Sequence, residues 1–340
     1  MIRVLQGDCR EVLKTLPDES VHCVVTSPPY FGLRDYGAAG QIGLEPSPAE
    51  FIAALVEVFD GVRRVLRADG TAWVNMGDSY ASGGRKTRDP GQSKIHPAYE
   101  GDAYREGLRP DDPLGVKPKD LLGVPWMLAF ALRDAGWYLR QDIIWHKPNP
   151  MPESVEDRCT KSHEYIFLLA KSERYFYDHR AIMEPATVGD NFRNVTDPVP
   201  SNMPGAPANV GIRRSGNKAR KAASERGVPV DTGGRSSGAV AGSVPWEGDM
   251  RNKRDVWTVT VRPFNEAHFA TFPPALIEPC ILAGCPEGGT VLDPFGGAGT
   301  TGLVADRHKR DAILIELNQE YADMARNRIY NDAPLFADVQ

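Results

Sequence analysis

Long apolar runs are absent from this chain. In its 340 residues no stretch approaches the roughly 18 consecutive apolar residues that a membrane-spanning helix needs. The start, Met1-Ile2-Arg3-Val4, also lacks the extended apolar segment of a secretory signal. With 41% apolar residues the chain can still bury a sizeable core. The sequence therefore predicts a globular, cytoplasmic protein.

Cysteine and histidine are few and scattered. The cysteines are Cys9, Cys23, Cys159, Cys280 and Cys285, and none of them forms a C-x-x-C pair. Their odd number gives no disulfide framework. The seven histidines never recur at the i, i+4 spacing of a helical metal site. The sequence thus predicts neither structural zinc nor metal catalysis.

Neither sign of charge dominates. The chain has 40 Lys and Arg against 45 Asp and Glu, a net charge of -5, which excludes a uniformly basic nucleic-acid coat. A local basic segment lies between residues 213 and 226. Its basic side chains are Arg213, Arg214, Lys218, Arg220, Lys221 and Arg226. A solvated surface and a phosphate-contacting surface both fit this pattern.

Short apolar strands alternate with amphipathic helices along much of the chain. Strands are predicted near the start and at 21–25, 71–76, 142–145, 165–170, 290–292 and 312–315. Helices are predicted at 47–67, 121–135, 274–283 and 299–308, and after Asn318. Ser47 and Glu50 form a capping box for the first of these helices, and Gly70 is predicted to turn the chain from helix to strand. The β-α-β order indicates a parallel sheet, with 142–145 and 165–170 antiparallel to each other.

Two segments lose this periodicity. Residues 81–119 form a predicted long surface loop. Residues 186–255 are rich in Gly, Pro, Ser and Asn and hold too few large apolar residues to bury a core. We therefore divide the chain into residues 1–185, an insertion at 186–255 and residues 256–340, with the first and last parts forming one domain.

A glycine-rich segment follows a predicted strand and begins a helix. It is Asp293-Pro294-Phe295-Gly296-Gly297-Ala298-Gly299-Thr300-Thr301-Gly302, which satisfies G-x-G-x-x-G. Glu316 ends the next predicted strand, nineteen residues after Gly297, where a carboxylate can accept hydrogen bonds from ribose hydroxyls. The spacing predicts a nucleoside-cofactor site and leaves the choice of cofactor open.

A second segment of interest ends a buried strand near the start of the chain. Thr26-Ser27-Pro28-Pro29-Tyr30 follows the apolar run Val21 to Val25, and two prolines cannot continue a strand. The carboxyl end of such a strand is where open α/β sheets bind ligands. A strand terminator with a packed tyrosine is the simpler interpretation of these residues alone.

Together the two segments resemble the catalytic and cofactor motifs of S-adenosylmethionine-dependent DNA amino-methyltransferases. The catalytic motif comes first in the chain, as in that family's beta group. Gly7-Asp8, Trp145-His146-Lys147-Pro148-Asn149 and His268-Phe269-Ala270-Thr271-Phe272-Pro273 are similar to further parts of that family. The resemblance implies a Rossmann-like α/β methyltransferase fold. This fold has a mixed, mostly parallel sheet, helices on both faces and a target-recognition region at 186–255.

The resemblance also implies roles for individual residues. The implied catalytic residues are Ser27, Pro28, Pro29 and Tyr30. The implied contacts to S-adenosylmethionine are Asp8, Phe269, Phe272, Asp293, Pro294, Phe295, Gly297, Gly299, Thr300 and Glu316. Asp8 is equally a candidate N-cap of a helix, and Phe269 and Phe272 are equally candidates for plain core. Arg213, Arg214, Lys218, Arg220 and Lys221 become candidate phosphate contacts on double-stranded DNA.

The residue types of the catalytic motif suit methylation of an amino group. The exocyclic nitrogen of cytosine or adenine is a poor nucleophile because its lone pair is delocalised into the ring. Ser27 and the carbonyl of Pro28 can accept the two amino hydrogens and concentrate that lone pair, while Tyr30 stacks on a flipped-out base. Since family members acting on cytosine usually carry Ser at this position and those acting on adenine Asp, we expect N4-methylcytosine, with N6-methyladenine as the alternative.

Three other functions remain open on the sequence alone. A ring-carbon cytosine methyltransferase would need Cys280 as its nucleophile, although this cysteine lies in an apolar helical stretch. A nicotinamide dehydrogenase would place its glycine fingerprint after the first strand of a Rossmann half. A non-catalytic DNA-binding protein would keep only a relic cofactor pocket. The resemblance further allows a homodimer and a cognate restriction endonuclease as partners.

Overall fold

The fold is taken from a computed structural model of the full chain. It describes residues 1–32, 40–81, 116–117, 119–186, 250–261, 272–332 and 339. The chain divides into two compact units, Met1–Ile182 with Asn252–Gln340, and Met183–Arg251. In the parts of the chain that are described, no helix is long and apolar enough to cross a bilayer.

An eight-stranded sheet forms the centre of the first unit. The strands of the chain are β1 (Ile2–Gln6), β2 (Val21–Thr26), β3 (Leu66–Met76), β4 (Tyr138–His146), β5 (His163–Ala170), β6 (Glu184–Pro185), β7 (Met250–Arg251), β8 (Val256–Thr258), β9 (Thr290–Asp293) and β10 (Asp311–Glu316). The order in the sheet is β1-β10-β9-β2-β3-β5-β4-β8, and only β5 runs antiparallel to its neighbours. The predicted mixed, mostly parallel sheet is therefore confirmed, as is the antiparallel pairing of β4 with β5.

Helices cover both faces of this sheet. They are α1 (Cys9–Thr15), α2 (Pro48–Val65), α3 (Val124–Asp134), α4 (Pro274–Gly284), α5 (Thr300–Arg307) and α6 (Gln319–Asp332). The first three pack on one face and the last three on the other. Strand residues alternate between these two cores; Trp73 belongs to one core, and its neighbours Ala72 and Val74 belong to the other. The predicted arrangement of helices on both faces is confirmed.

Helix α2 forms where the capping signal predicts it. The Glu50 amide donates to Ser47 Oγ at 3.3 Å, and Pro48 occupies the first turn. Phe51, Leu55 and other apolar residues at helical spacing are fully buried. Each such burial contributes about 1.5–3 kcal/mol, so the apolar stripe holds α2 on the sheet more strongly than propensity alone could.

Gly70 does not make the predicted helix-to-strand turn. Strand β3 begins at Leu66, directly after α2, and Gly70 lies buried within it. A Cβ at position 70 would come within 2.5 Å of the Leu66 side chain and 3.0 Å of the His22 carbonyl oxygen. The glycine therefore permits close packing beside the register shift between β2 and β3.

Helix α3 and strand β8 also differ from the predictions. Helix α3 starts at Val124, later than predicted, because the Asp78 carboxylate accepts the amide hydrogens of Gly123 and Val124 at 3.0 and 3.1 Å. Strand β8 is too short to show a periodicity, and the sequence does not predict it. Of the predicted loop at 81–119, residues 82–115 and 118 lie outside the described residues.

The second unit overlaps the predicted insertion. In its described part, β6 pairs antiparallel with β7, and Arg251 forms an ion pair with Glu184 at 2.9 Å. Its bounds, Met183–Arg251, differ from the predicted 186–255 because the residues just before β8 belong to the first unit. A role of this unit in target recognition stays a prediction.

Candidate active site at the carboxyl edge of the sheet

Both sequence motifs lie at the same edge of the sheet. Strands β2 and β9 are parallel neighbours, so the segments that follow their last residues leave the sheet side by side. The chain then passes to α2 on one face and to α5 on the other. Neighbouring strands whose connections separate in this way leave a crevice between them, which is the usual ligand site of open α/β sheets.

A buried carboxylate joins the two motifs. Asp293, at the end of β9, accepts hydrogen bonds from the hydroxyls of Thr26 and Thr301, both at 2.6 Å. It also accepts the amide hydrogen of Phe295 at 3.1 Å. Only 1% of Asp293 is exposed. The end of β2 is therefore held directly to the glycine-rich loop, across 267 positions of sequence.

Burial raises the pKa of Asp293 to about 6, and the hydrogen bonds from Thr26, Thr301 and the Phe295 amide oppose the rise. Because the folded protein then binds a proton more tightly than the unfolded chain, this group lowers stability as the pH rises from about 4 to about 6. The shift corresponds to about 3 kcal/mol. Burial of the Asp293 carboxylate therefore lowers stability at neutral pH, and the hydrogen bonds from Thr26 and Thr301 offset part of that loss.

Asp293→Asn is expected to remove this pH dependence. The free energy of unfolding of the variant minus that of the wild type should rise by about 3 kcal/mol between about pH 4 and pH 7, because only the wild type carries this titrating carboxyl group. Urea denaturation at several pH values measures this difference. A difference that stays constant over the range would contradict the raised pKa.

The glycine-rich loop depends on backbone conformations that favour glycine. Gly297 and Gly299 have φ angles of +49° and +78°. At Gly299 a Cβ would also lie 2.8 Å from Ala325 Cβ and 3.1 Å from Ala325 Cα in helix α6. The loop therefore approaches α6 more closely than any side chain at position 299 allows.

Gly299→Ala is expected to lower the free energy of unfolding by about 2–4 kcal/mol, from left-handed strain together with the clash against Ala325. Gly288→Ala is the matched control, because Gly288 has nearly the same φ, +76°, and a Cβ added there would have no neighbour within 4 Å. The control should cost about 1 kcal/mol. Chemical denaturation of both variants measures the effect, and equal losses would show that the contact with α6 is unimportant.

Glu316, at the end of the neighbouring strand β10, holds the glycine-rich loop by a hydrogen bond. Its carboxylate accepts the amide hydrogens of Gly297 at 2.8 Å and Asn318 at 2.9 Å, one on each oxygen. Burial raises the pKa of Glu316. Since a carboxylate has about four acceptor positions, both oxygens keep capacity for further donors such as ribose hydroxyls. The site thus fits the nucleoside cofactor that the spacing predicts.

The other predicted residues of this loop differ in their exposure. Phe295 and Gly297 keep part of their surface accessible, whereas Asp293, Pro294, Gly299 and Thr300 are buried. The Thr300 hydroxyl accepts a hydrogen bond from Arg328 at 2.9 Å. The four buried residues support the conformation of the loop. Contact of any residue of this loop with the cofactor stays a prediction.

Asp8 lies at the same edge, after β1, and caps helix α1. Its carboxylate accepts the Arg10 amide hydrogen at 2.9 Å and pairs with the Arg10 guanidinium at 2.6 Å. This pairing holds the pKa of Asp8 below its usual range. The N-cap interpretation is thus confirmed, while the implied contact of Asp8 with the cofactor stays a prediction.

The remaining predicted residues fall in two groups. Phe272 is partly buried and packs against the core beneath α4. Phe269 and the basic residues lie outside the described residues; the latter are Arg213, Arg214, Lys218, Arg220 and Lys221. The structure therefore leaves the roles of Phe269 and of the basic segment as predictions.

The segment that follows β2 places a partly accessible tyrosine, Tyr30, against the carboxyl end of β3. Pro28 is buried, whereas Ser27, Pro29 and Tyr30 are partly accessible. A Cβ at Gly77, after β3, would lie 2.6 Å from the Tyr30 ring, so that glycine lets the ring pack against the end of β3. Burial and the nearby Glu164 carboxylate raise the pKa of Tyr30, which keeps its hydroxyl protonated.

Three polar residues around Tyr30 were not predicted from the sequence. The Tyr30 hydroxyl donates to Glu164 at 2.7 Å, and Glu164 is further contacted by Asn75 and Lys147. The only available signal is positional: Asn75 lies near the end of β3, Lys147 directly follows β4, and Glu164 lies at the start of the antiparallel β5, so all three meet this edge. No residue spacing within the sequence connects them.

Cys280 is unsuited to the ring-carbon mechanism. It is fully buried in α4, and burial raises the pKa of its thiol far above the usual range. Within the described ranges, no group of three or more His, Cys, Asp or Glu side chains is placed to hold a metal ion.

Known proteins are similar to this chain in sequence and in fold. The DNA methylase family matches residues 21–327. The Type II methyltransferase M.Cfr9I of Citrobacter freundii is 45% identical over 97% of this chain and 88% of its own length. TTHA0409 of Thermus thermophilus, assigned as a DNA modification methylase and solved with S-adenosyl-L-methionine, matches over the whole of both chains with a TM-score of 0.55 and 23% identity.

A second solved structure has the same fold. The PvuII DNA methyltransferase (cytosine-N4-specific) matches 100% of this chain and 95% of its own, with a TM-score of 0.57 and 18% identity. This similarity supports the Rossmann-like architecture. Because the family match and the similarity to M.Cfr9I both extend over most of the chain, this protein is a DNA methyltransferase that belongs to the N6/N4 DNA methylase family.

Proposed function

We propose that this chain is a beta-group enzyme that transfers a methyl group from S-adenosylmethionine to N4 of a flipped-out cytosine in double-stranded DNA. The observation that carries the proposal is the buried bridge from Asp293 to Thr26 and Thr301. It fixes the glycine-rich loop beside Ser27, so a methyl donor on one loop lies next to an acceptor on the other. Fixed alignment of the reacting atoms is the main requirement of a direct methyl displacement.

Glu316, Gly297 and Phe295 are the residues best placed to hold the cofactor. Glu316 would accept the ribose hydroxyls, and the accessible faces of Gly297 and Phe295 would line the ribose and methionine portions. S-adenosylmethionine supplies an electrophilic methyl group on a sulfonium centre when it is bound. TTHA0409, which has the same fold, was solved with this molecule.

Ser27 and Pro28 would prepare the amino nitrogen for attack. The Ser27 hydroxyl and the Pro28 carbonyl accept one amino hydrogen each, which concentrates the nitrogen lone pair toward the methyl group. Two successive prolines limit the backbone freedom of this segment, so the carbonyl is held in place before the base arrives. Tyr30 offers an aromatic face on which the flipped base stacks, which offsets part of the few kcal/mol that unstacking costs.

The choice of cytosine follows from the residue at position 27. A serine hydroxyl stands where family members that act on adenine usually carry an aspartate. The PvuII enzyme, described as cytosine-N4-specific, has the same fold. N6-methyladenine would result from the same mechanism, and product analysis distinguishes the two bases.

The relatives and the basic segment suggest the setting of this reaction. M.Cfr9I is named as a Type II methyltransferase, so a restriction-modification role with a cognate endonuclease is proposed here as well. The candidate phosphate contacts remain Arg213, Arg214, Lys218, Arg220 and Lys221, which give their segment a local excess of positive charge in a chain whose net charge is -5. A homodimer is also compatible with this proposal.

Nucleoside mass spectrometry tests the target base. The chain is expressed in a host that lacks DNA methylation, and the host DNA is digested to nucleosides and compared with DNA from a Ser27→Ala strain. N4-methyldeoxycytidine above the Ser27→Ala level is the expected result. N6-methyldeoxyadenosine in its place would overturn the choice of base, and the absence of both would overturn amino methylation of DNA.

A further inference from the structure

The hydroxyl of Tyr30 is anchored at the point where three strands meet. It donates to Glu164 Oε2 at 2.7 Å, at the start of β5, and lies 3.4 Å from Asn75 Oδ1 in β3. Stacking on a base requires only the ring face, so the hydroxyl of a stacking residue has no direct task there. Its anchoring therefore calls for a separate explanation.

Glu164 is itself held from two sides. Asn75 Nδ2 donates to the same oxygen at 3.2 Å and to the Tyr165 carbonyl at 3.1 Å. Lys147 forms an ion pair with the other oxygen, and the two side chains are only 19% and 13% exposed. A charge-assisted contact shielded from water is stronger and more directional than a surface ion pair. These contacts therefore hold the Glu164 carboxylate in position to accept the hydrogen bond from the Tyr30 hydroxyl.

Lys147 is held in turn by Trp145, two residues earlier on β4. Its ammonium lies 4.2 Å from the centroid of the Trp145 ring, and the Trp145 indole donates to the Val259 carbonyl at 2.8 Å. Contacts thus connect Trp145 in the buried core to the Tyr30 hydroxyl through Lys147 and Glu164. Lys147 belongs to the Trp145-His146-Lys147-Pro148-Asn149 segment, which the proposed mechanism leaves without a role.

We propose that Glu164 is a positioning residue that sets the plane of the Tyr30 ring for stacking on the flipped base. Lys147 and Asn75 hold the Glu164 carboxylate in place. The hydrogen bond fixes the direction of the ring axis, and because a phenolic O–H prefers the plane of its ring, the position of the acceptor also favours one ring plane. Packing of the ring near Gly77 limits rotation about that axis. This inference rests on the proposed stacking role of Tyr30. It extends that role to residues of β3, β4 and β5 that do not touch the base.

A double-mutant cycle between Tyr30 and Glu164 tests the proposal. Tyr30→Phe keeps the ring and removes the anchored hydroxyl, and Glu164→Ala removes the acceptor. Each is expected to lower the single-turnover rate of methyl transfer to unmethylated host DNA by about 10- to 100-fold, with the affinity for S-adenosylmethionine unchanged. Because both remove the same contact, the double variant should be no slower than the slower single variant.

Two further variants separate positioning from plain structural support. Glu164→Gln keeps an oxygen that can accept the tyrosine hydroxyl but loses the ion pair with Lys147, so its rate should lie between those of Glu164→Ala and the wild type. Glu173→Gln, an exposed residue just after β5, should leave the rate at the wild-type level. If the losses of the two single variants multiply in the double variant, or if Glu164→Ala lowers thermal stability without lowering the rate, the proposal is overturned.

The cycle also distinguishes this inference from the proposed function. If the wild-type product is N6-methyladenine, the proposed target base fails, but coupling between positions 30 and 164 can still be measured on that product. If Tyr30→Phe retains the full rate, the positioning role fails while amino methylation stands. Should Glu164→Ala not fold, Asn75→Ala takes its place in the cycle, because Asn75 donates to the same Glu164 oxygen that accepts the tyrosine hydroxyl. Losses that multiply in that double variant would again overturn the proposal.

Discussion

Ser27→Ala is expected to lower the rate of methyl transfer by about 100-fold or more, while S-adenosylmethionine binds as to the wild type. The substitution removes a hydroxyl that accepts an amino hydrogen, so the nitrogen lone pair stays delocalised into the ring. It leaves Thr26 and its bond to Asp293 untouched, and hence the cofactor loop is unaffected. Single-turnover transfer of radiolabelled methyl groups and calorimetric cofactor titration measure the two quantities.

Ser20→Ala is the matched control for this prediction. Ser20 precedes β2 at the opposite edge of the sheet, and its hydroxyl bonds the nearby Pro17 carbonyl. Its variant should keep full activity. A Ser27→Ala enzyme that retains the wild-type rate would show that this hydroxyl does not prepare the amino group.

Glu316→Ala is expected to weaken S-adenosylmethionine binding by about 100-fold or more. The variant loses a carboxylate that would accept two ribose hydroxyls, and charge-assisted hydrogen bonds are worth about 1.5–3 kcal/mol each. It also leaves the Gly297 and Asn318 amides without their acceptor, although the Gly296 amide keeps its hydrogen bond to the Ile315 carbonyl of β10 at 2.7 Å. Isothermal titration calorimetry with S-adenosylmethionine or its demethylated product measures the affinity.

Glu320→Ala serves as the control for Glu316. This exposed glutamate lies four residues further along, in the first turn of α6, so its loss changes the charge without touching the loop. The control should bind the cofactor as the wild type does. Wild-type affinity in Glu316→Ala would place the ribose elsewhere.

Local signals in the sequence were sufficient to predict most of the fold. The capping box at Ser47 and the apolar stripe predict α2 because caps and helical periodicity act within a few residues. Helix α6 likewise begins at a local cap, because the Asn318 side chain accepts the Glu320 amide hydrogen at 2.8 Å. Strand β8 was not predicted because its three residues are defined by pairing with β4, which is a tertiary contact.

The site shows the same division between local and distant interactions. The glycine-rich loop and Glu316 were predictable because a strand, a turn and a fixed spacing lie within one short segment. The Asp293 to Thr26 bridge and the contact from Tyr30 to Glu164 join residues 267 and 134 positions apart. No periodicity in the sequence predicts contacts between residues so far apart along the chain. They follow from the strand order, which places the ends of β2, β3 and β9 and the start of the antiparallel β5 at one edge.

The central claim is that one site formed by both motifs moves a methyl group from S-adenosylmethionine to the cytosine amino nitrogen. Incubation of the purified protein with S-adenosylmethionine carrying a trideuterated methyl group, and with DNA from a methylation-deficient host, tests this directly. Mass spectrometry of the nucleosides should find the intact trideuteromethyl group on N4 of deoxycytidine. Cofactor binding without any labelled nucleoside, or label on the ring carbon of cytosine, would contradict the claim.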